Sequence, residues 1–187
     1  MTVLVTHPLL VGRRRRKALR VLAGVGMMAA FVLVTFAILF RFAGPWGVPY
    51  FAFTSDRGSP CKNNLTGFVC TPITLAEVEF HAEIDLPDDT RVVDGTYQST
   101  HDYQLEALLD VPPGSADAAL KALNESFGPC LRSQPSPLDT EGVGKLCTMA
   151  TVDAITESGE PASRLYMVGT GVRRDGSRPI YMTIRSR

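Results

Sequence analysis

The stretch from Val21 to Phe40 holds twenty residues without a charge, and it constrains everything else in the chain. At about 1.5 Å rise per residue such a run makes a helix of roughly 30 Å, the thickness of a bilayer's hydrocarbon core. The pattern predicts a single transmembrane α-helix over residues 21–42. Arg13, Arg14, Arg15, Arg16 and Lys17 lie just before it, with Arg20 one turn closer. On the other side the first cations are Arg41, Arg57 and Lys62. Lys and Arg concentrate on the cytoplasmic flank of a span, so this asymmetry predicts a short basic cytoplasmic segment at 1–20 and everything after the helix outside. Residues 1–12, broken by His7-Pro8, are too few to fold alone. A segment this short holds no kinase, DNA-binding or nucleotide-binding domain, so an inward signal would pass through another membrane protein.

A cleaved signal peptide is the competing reading of the first 45 residues. Secretory apolar regions usually run about 7–15 residues before a small-residue cleavage site. This run is longer, and Phe42-Ala43-Gly44 is a poor substitute for Ala-x-Ala. Both features favour an uncleaved signal-anchor. Gly24, Gly26, Ala23, Ala29 and Ala30 would permit close packing of helices, although no Gly-x-x-x-Gly occurs in the span.

The formal net charge of zero conceals segregation. All 19 acidic residues follow residue 43, together with 12 of the 19 Lys and Arg, so that part carries −7 and the first 43 residues +7. An acidic domain is a poor match for nucleic acid, which needs clustered cations against phosphate, and no nucleic-acid partner is expected. The 144 residues beyond residue 43 suffice for one domain with a core of its own. They contain all four cysteines, Cys61, Cys70, Cys130 and Cys147. An even number in an oxidising compartment suggests two disulfides. Three connectivities are open, and the short closures Cys61–Cys70 and Cys130–Cys147 are favoured. Arginine outnumbers lysine 15 to 4, a bias of GC-rich bacterial genomes. In that setting the sequons Asn64-Leu65-Thr66 and Asn124-Glu125-Ser126 are chance matches; in a eukaryote they would be glycosylation candidates.

Residues 43–75 read as a juxtamembrane segment rich in rings, Pro and Gly, ending in a disulfide loop. Phe40, Phe42, Trp46 and Tyr50, with Phe51 and Phe53, match an interfacial belt at the outer headgroups. The same rings could instead pack beneath a folded domain or form a partner surface.

The extracytoplasmic domain is expected at 76–187. In Glu77–Asp85, Val78, Phe80, Ala82 and Ile84 alternate with polar residues, predicting a half-buried strand with one wet face. Asp94-Gly95 between Arg91-Val92-Val93 and Thr96-Tyr97-Gln98 suggests a tight turn. Tyr103, Leu105, Ala107, Leu109 and Val111 predict a further strand, stopped by Pro112-Pro113-Gly114. Ser115 is placed to cap a helix through about Phe127, with Ala116, Ala119, Leu120, Leu123 and Phe127 on one stripe and Gly128-Pro129 as its stop. Cys130–Cys147 reads as a Pro- and Gly-rich loop, and Thr148–Ile155 as a strand. Leu165–Val172 and Ile180–Ile184 flank a hairpin turn near Asp175-Gly176. Together these elements predict an α+β domain, an antiparallel sheet with one main helix on one face, stabilised by disulfides.

No constellation for chemistry stands out. His81 and His101 are the only histidines beyond the span, and neither has metal-ligand spacing; both read as solvated residues, and no metal is expected. A triad from His101, Asp102 and a distant Ser is generic to any domain with a histidine. Glu77, Glu79, Glu83, Asp85, Asp88 and Asp89 could supply a carboxylate pair or a weak calcium site, but a row on a strand face is more simply a solubilising surface. Gly142-Val143-Gly144-Lys145 lacks the remainder of a phosphate-binding loop and reads as loop filler. Arg173, Arg174 and Arg178 form the one basic cluster, fit for anionic wall polymer or headgroups, or simply solvated turn charges. The expectation is a non-enzymatic, cofactor-free interaction or accessory module of the bacterial cell envelope, with the lipid bilayer and another membrane or envelope protein as partners. An anchored envelope hydrolase and a sensory co-receptor are the alternatives.

Overall fold

The computed structural model describes residues 9–131, 134–139, 141–151 and 162–186, with side chains from residue 17 onward. The chain divides into two compact units, Met1–Trp46 and Gly47–Arg187.

The first unit is a helix, α1 (Leu9–Ala43). Its stretch Lys17–Ala43 is long and apolar enough to cross a membrane, and every residue from Lys17 to Phe42 is exposed. Thr35, the one hydroxyl in the apolar run, donates to Phe31 O one turn back at 2.9 Å, so it carries no unpaired donor. Lys17 and Arg20 are exposed on the helix. Arg13, Arg14, Arg15 and Arg16 are helical, and their side chains lie outside the described set, as does the whole of 1–8.

The second unit is built on one antiparallel sheet of eight strands in the order β1-β2-β3-β4-β5-β8-β7-β6. The strands are β1 (Ala52–Thr54), β2 (Pro60–Asn63), β3 (Phe68–Cys70), β4 (Arg91–Ser99), β5 (Tyr103–Val111), β6 (Val143–Ala150), β7 (Arg164–Arg173) and β8 (Arg178–Ser186). Among the described residues two α-helices accompany them, α2 (Leu75–Ala82) and α3 (Ala116–Phe127), the second preceded by a short 3-10 turn at Pro113–Ser115. The expected antiparallel sheet, apolar N-terminal helix and two disulfides are all present, Cys61 bonded to Cys70 and Cys130 to Cys147.

Register sorts the side chains. Tyr97 stands opposite Leu105, Leu105 opposite Ile184, and Ile184 opposite Tyr166, so these four share one face. His81 of α2 stacks on Tyr97 and Phe127 of α3 meets Tyr166, so both helices cover that face. Leu105, Leu109, Met149, Val168, Ile180, Met182 and Ile184 are fully buried beneath them. One residue along each strand the opposite face begins, with Gln98, Glu106, Met167 and Arg185 exposed. The alternation predicted for Tyr103–Val111 is this division.

Several expectations change. The strand predicted over Glu77–Asp85 is helix α2. Val78 and Ala82 are four apart, fall on one helical face, and are both fully buried, while Phe80 between them points to solvent at 56% exposure. Over eight residues the two periods share these positions, and the helix start decides the outcome. Thr74 accepts a hydrogen bond from Glu77 N at 3.2 Å, and Glu83, in the left-handed region at φ 52, ends the helix. Asp94-Gly95 is no turn. It lies inside β4 beside a bulge between Val92 and Asp94. Gly95 is required by packing, since a Cβ there would lie 2.5 Å from Ile73 Cγ1.

The division at residue 76 also moves. Strands β1 to β3 fall within residues 43–75 yet belong to the same sheet as β4–β8, so the folded unit begins at Gly47. Phe53 and Phe68 pack edge to face at 5.4 Å, and Phe51 and Phe53 are half-buried within the unit rather than free for a belt. Among the described residues two α-helices lie on the sheet instead of one. Ser115 precedes α3 but makes no side-chain cap; its hydroxyl donates to Asp89 Oδ2 at 2.7 Å. The apolar stripe of α3 is as expected, with Ala116, Ala119, Leu123 and Phe127 buried. Gly128, at φ 81, follows the helix, its N–H donating to Asn124 O at 3.0 Å. The Cys130–Cys147 span ends in strand rather than loop, because β6 starts at Val143. The strand predicted for Thr148–Ile155 is the end of β6, and residues 152–161 lie outside the described set.

Candidate functional site

The most organised polar group in the domain forms where α2 begins. Thr74-Leu75-Ala76-Glu77 is a capping-box sequence. Only half of the box is made: Thr74 Oγ1 accepts from Glu77 N at 3.2 Å, while Thr74 N donates to Ser59 Oγ at 3.0 Å. The Glu77 carboxylate, freed from the box, turns into the domain and its side chain is only 4% exposed. There Oε2 accepts from Ser55 Oγ at 2.5 Å and Oε1 faces His81 Nε2 at 3.1 Å, with Arg57 Nη1 at 4.0 Å. Glu77 and His81 are four apart on the helix, the spacing that sets two side chains on one face.

The His81 ring is held on three sides. It stacks on Tyr97 with centroids 3.9 Å apart and planes 14° from parallel. Tyr103 lies 5.2 Å away and donates its hydroxyl to His81 O at 3.5 Å. Phe80 meets the ring edge-on at 5.1 Å, and the Arg57 guanidinium sits 3.2 Å over Phe80 in a cation–π contact. Burial lowers the His81 pKa below its usual value, against the opposing pull of Glu77. Burial likewise raises the Tyr97 phenol.

The order of these groups decides what they can do. In a nucleophile–base relay the imidazole stands between hydroxyl and carboxylate. Here the carboxylate stands in the middle, with Ser55 on one oxygen and His81 on the other. Ser55 Oγ also accepts Ser59 N at 3.1 Å. The arrangement ties loop 55–59 to α2 and positions Tyr97 and Tyr103.

Beside it opens a depression of about 640 Å³ lined by Glu79, Phe80, His81, Ile84, Asp85 and Tyr103. The carboxylates predicted along one wet face are dispersed around it. Glu77 points inward; Glu79 Oε1 accepts Leu86 N at 3.1 Å; Glu83 pairs with Arg164 Nη1 at 3.1 Å. Burial, and secondarily the neighbouring Asp85 and Asp88, raise the Glu79 pKa. Arg164 also donates to Ala82 O, serving the orphan carbonyls at the end of α2. Among the described residues no three His, Cys, Asp or Glu side chains converge so as to hold a metal ion. His101 and Asp102 are exposed in the β4–β5 turn.

The basic cluster rearranges as well. Arg178 is buried, donating from Nε to Ala116 O at 2.8 Å. Arg173 pairs with Asp110 at 2.5 Å. Lys145, at φ 48 where β6 departs from regular pairing, joins Arg173, Arg174 and Gly142–Gly144 around an open depression of about 460 Å³. The glycine loop and the β7–β8 hairpin, unrelated in sequence, thus form one surface.

Of the predicted belt, Phe40, Phe42, Trp46 and Tyr50 are 63%, 44%, 62% and 67% exposed. Phe42 and Trp46 stack at 5.6 Å within the first unit. Sequence reasoning placed Glu77 and His81 on a wet strand and missed their junction with Ser55, Arg57, Tyr97 and Tyr103. The available signal was Thr74-x-x-Glu77 followed by His81 one turn on.

Comparison of the chain with known protein families, with curated proteins and with solved structures gives no match.

Proposed function

We propose that α1 anchors this protein in the plasma membrane as an uncleaved, single-pass helix, and that the disulfide-bonded domain works on the far side by binding rather than by catalysis. The observation that carries the reading is the apolar surface of α1, exposed at every residue from Lys17 to Phe42. Val21, Leu22, Val25, Phe31, Leu33 and Phe40 each leave 60% or more of their surface exposed. Burying such side chains is favourable by about 1.5–3 kcal/mol each, which a bilayer supplies and water does not. The six cations before the span favour a cytoplasmic N-terminus, and two disulfides favour an oxidising compartment for the domain.

The binding reading is supported by the middle position of Glu77, which leaves Ser55 without an imidazole base. The Lys145–Arg173–Arg174 surface offers an acidic envelope protein or anionic polymer a contact. The test uses the full-length protein with a tag at each end. It should stay with membranes through an alkaline carbonate wash, keep its N-terminus, and lose only the C-terminal tag to protease added outside. Release by carbonate, or a mature N-terminus beyond residue 43, refutes the anchor. Turnover of a substrate that one pocket substitution abolishes refutes the binding role.

A further inference from the structure

At one end of the sheet the folded domain leaves apolar side chains in solvent. Leu65, at the tip of the β2–β3 hairpin, is 76% exposed, Tyr50 67% and Val48 39%. Val48 and Tyr50 are held against Asn63 of β2, whose hairpin carries Leu65. Tyr50 N donates to Asn63 O at 3.0 Å, Asn63 N to Phe51 O at 2.9 Å, and Asn63 Nδ2 to Val48 O at 3.2 Å. Tyr50 sits at φ 65, a backbone region bulky residues resist, so the scaffold holds its ring outward against a local preference.

The hairpin carrying Leu65 is firmly built. Asn64 N donates to Gly67 O at 2.8 Å, Asn64 Oδ1 accepts Thr66 N at 2.9 Å, and Cys61–Cys70 closes the base. Gly67 lies against the end of β4, where a Cβ would fall 1.8 Å from Ser99 O.

We infer that this end of the domain seats on the surface of the bilayer that α1 crosses. Leu65, Tyr50 and Val48 enter the headgroup–acyl boundary, and exposed Lys62 faces the headgroups. The inference rests on the anchoring proposed above. Chain length selects the occupant: Val48 follows the last helical residue, Ala43, by five positions, which span at most about 17 Å when extended, and Tyr50 by seven, at most about 24 Å. A surface so tethered stays near the membrane whatever else the domain binds. A tyrosine, a leucine and a valine beside a lysine suit that boundary.

Seating fixes direction. Ser99 pairs with Phe68 and with Tyr103 at the hairpin end, whereas Val111 pairs with Arg178 at the other end of β5. Eight steps of strand separate Tyr103 from Val111, about 27 Å. Val143 pairs with Arg173, so Lys145, Arg173 and Arg174 lie at the end remote from the membrane. Their partner is then a soluble or wall-borne anion rather than a headgroup of the same bilayer.

Brominated-lipid quenching tests this on the full chain in liposomes of phosphatidylcholine and phosphatidylglycerol. The chain has one tryptophan, Trp46. In a Trp46→Phe background, Leu65→Trp and, separately, Tyr50→Trp should lose about half or more of their emission in brominated lipid, as side chains in the boundary do. Val93→Trp reports the other end: Val93 is 56% exposed and six residues along β4 from Ser99, about 20 Å, and its emission should not change. Phe36→Trp, within α1, reports the anchor. Leu65→Trp and Tyr50→Trp unquenched with Phe36→Trp quenched overturns the seating and leaves the anchor standing. Phe36→Trp unquenched removes both. Val93→Trp quenched as strongly as Leu65→Trp also overturns the seating.

Discussion

Replacing Glu77 by Ala should destabilise the domain by about 2–3 kcal/mol, and the value follows from what the carboxylate touches. Its removal leaves the Ser55 hydroxyl and the His81 ring nitrogen without their acceptor. Each orphaned buried group costs about 1–3 kcal/mol. Ser55 is half-buried and can recover part of that from water; His81, with a side chain 11% exposed, cannot. Loss of a negative charge from the first turn of α2 adds about 0.3–1 kcal/mol. Relief from burying a carboxylate offsets some of this. For a unit of this size the loss lowers the melting temperature by about 8 °C. Glu77→Gln keeps a carbonyl for His81, and Ser55 can reverse its hydroxyl to accept from the amide, so about 1 kcal/mol is expected. The assay is urea unfolding of the detergent-solubilised full chain, followed by far-ultraviolet circular dichroism, with His81→Ala and the double variant closing a thermodynamic cycle. A coupling energy of about 1–2 kcal/mol between positions 77 and 81 is expected for groups in direct contact. If Glu77→Ala lies within about 0.5 kcal/mol of the parent, or the coupling is zero, the carboxylate is not the junction of loop 55–59 and α2.

Three other outcomes follow from the same geometry. Because burial lowers the His81 pKa in the folded chain, the unfolded chain takes up its proton first as the pH falls; stability is full above about pH 6.5 and declines as pH drops through the folded value. His81→Gln should flatten the urea midpoint between pH 7.5 and 5.5. Replacing Cys61 and Cys70 together by Ser should cost about 2.5 kcal/mol, and Cys130 and Cys147 about 3 kcal/mol, the cost rising with the logarithm of the loop length, 9 and 17 residues, read as shifts in the urea midpoint. Gly95→Ala forces a methyl onto Ile73 and should cost about 1–3 kcal/mol, whereas Gly114→Ala, which meets nothing within 4 Å, should cost far less in the same assay.

What the sequence revealed depended on the length of each pattern. β5 and α3 each run long enough for one period to prevail, and both emerge at nearly the expected bounds. The β7–β8 hairpin shows through its turn, where Gly176 takes φ 87 and Asp175 Oδ1 accepts Ser177 N at 2.9 Å. β1, β2 and β3 have three or four residues each, too few for any period to register, so their part of the chain read as linker. α2 misled for a related reason: Val78 and Ala82 satisfy both periods, and only Thr74 told them apart. The polar junction was half legible. Glu77 and His81 are neighbours by helical spacing, but Ser55 and Tyr97 reach them across 22 and 16 residues, a link only the folded sheet provides.

The Cys61–Cys70 bridge has a mechanical meaning. The chain leaving the helix enters the sheet through β1, an edge strand paired over three positions, so tension along α1 is borne first by that short ladder and peels it bond by bond. Only residues 47–60 can be drawn out before the slack ends, about 45 Å of chain. At Cys61 the load crosses the covalent bridge to Cys70 and passes on to β4, bypassing residues 62–69. Once β1 and the bonds of Tyr50 and Phe51 to Asn63 are stripped, the hairpin that bears Leu65 carries none of the pull and keeps its shape.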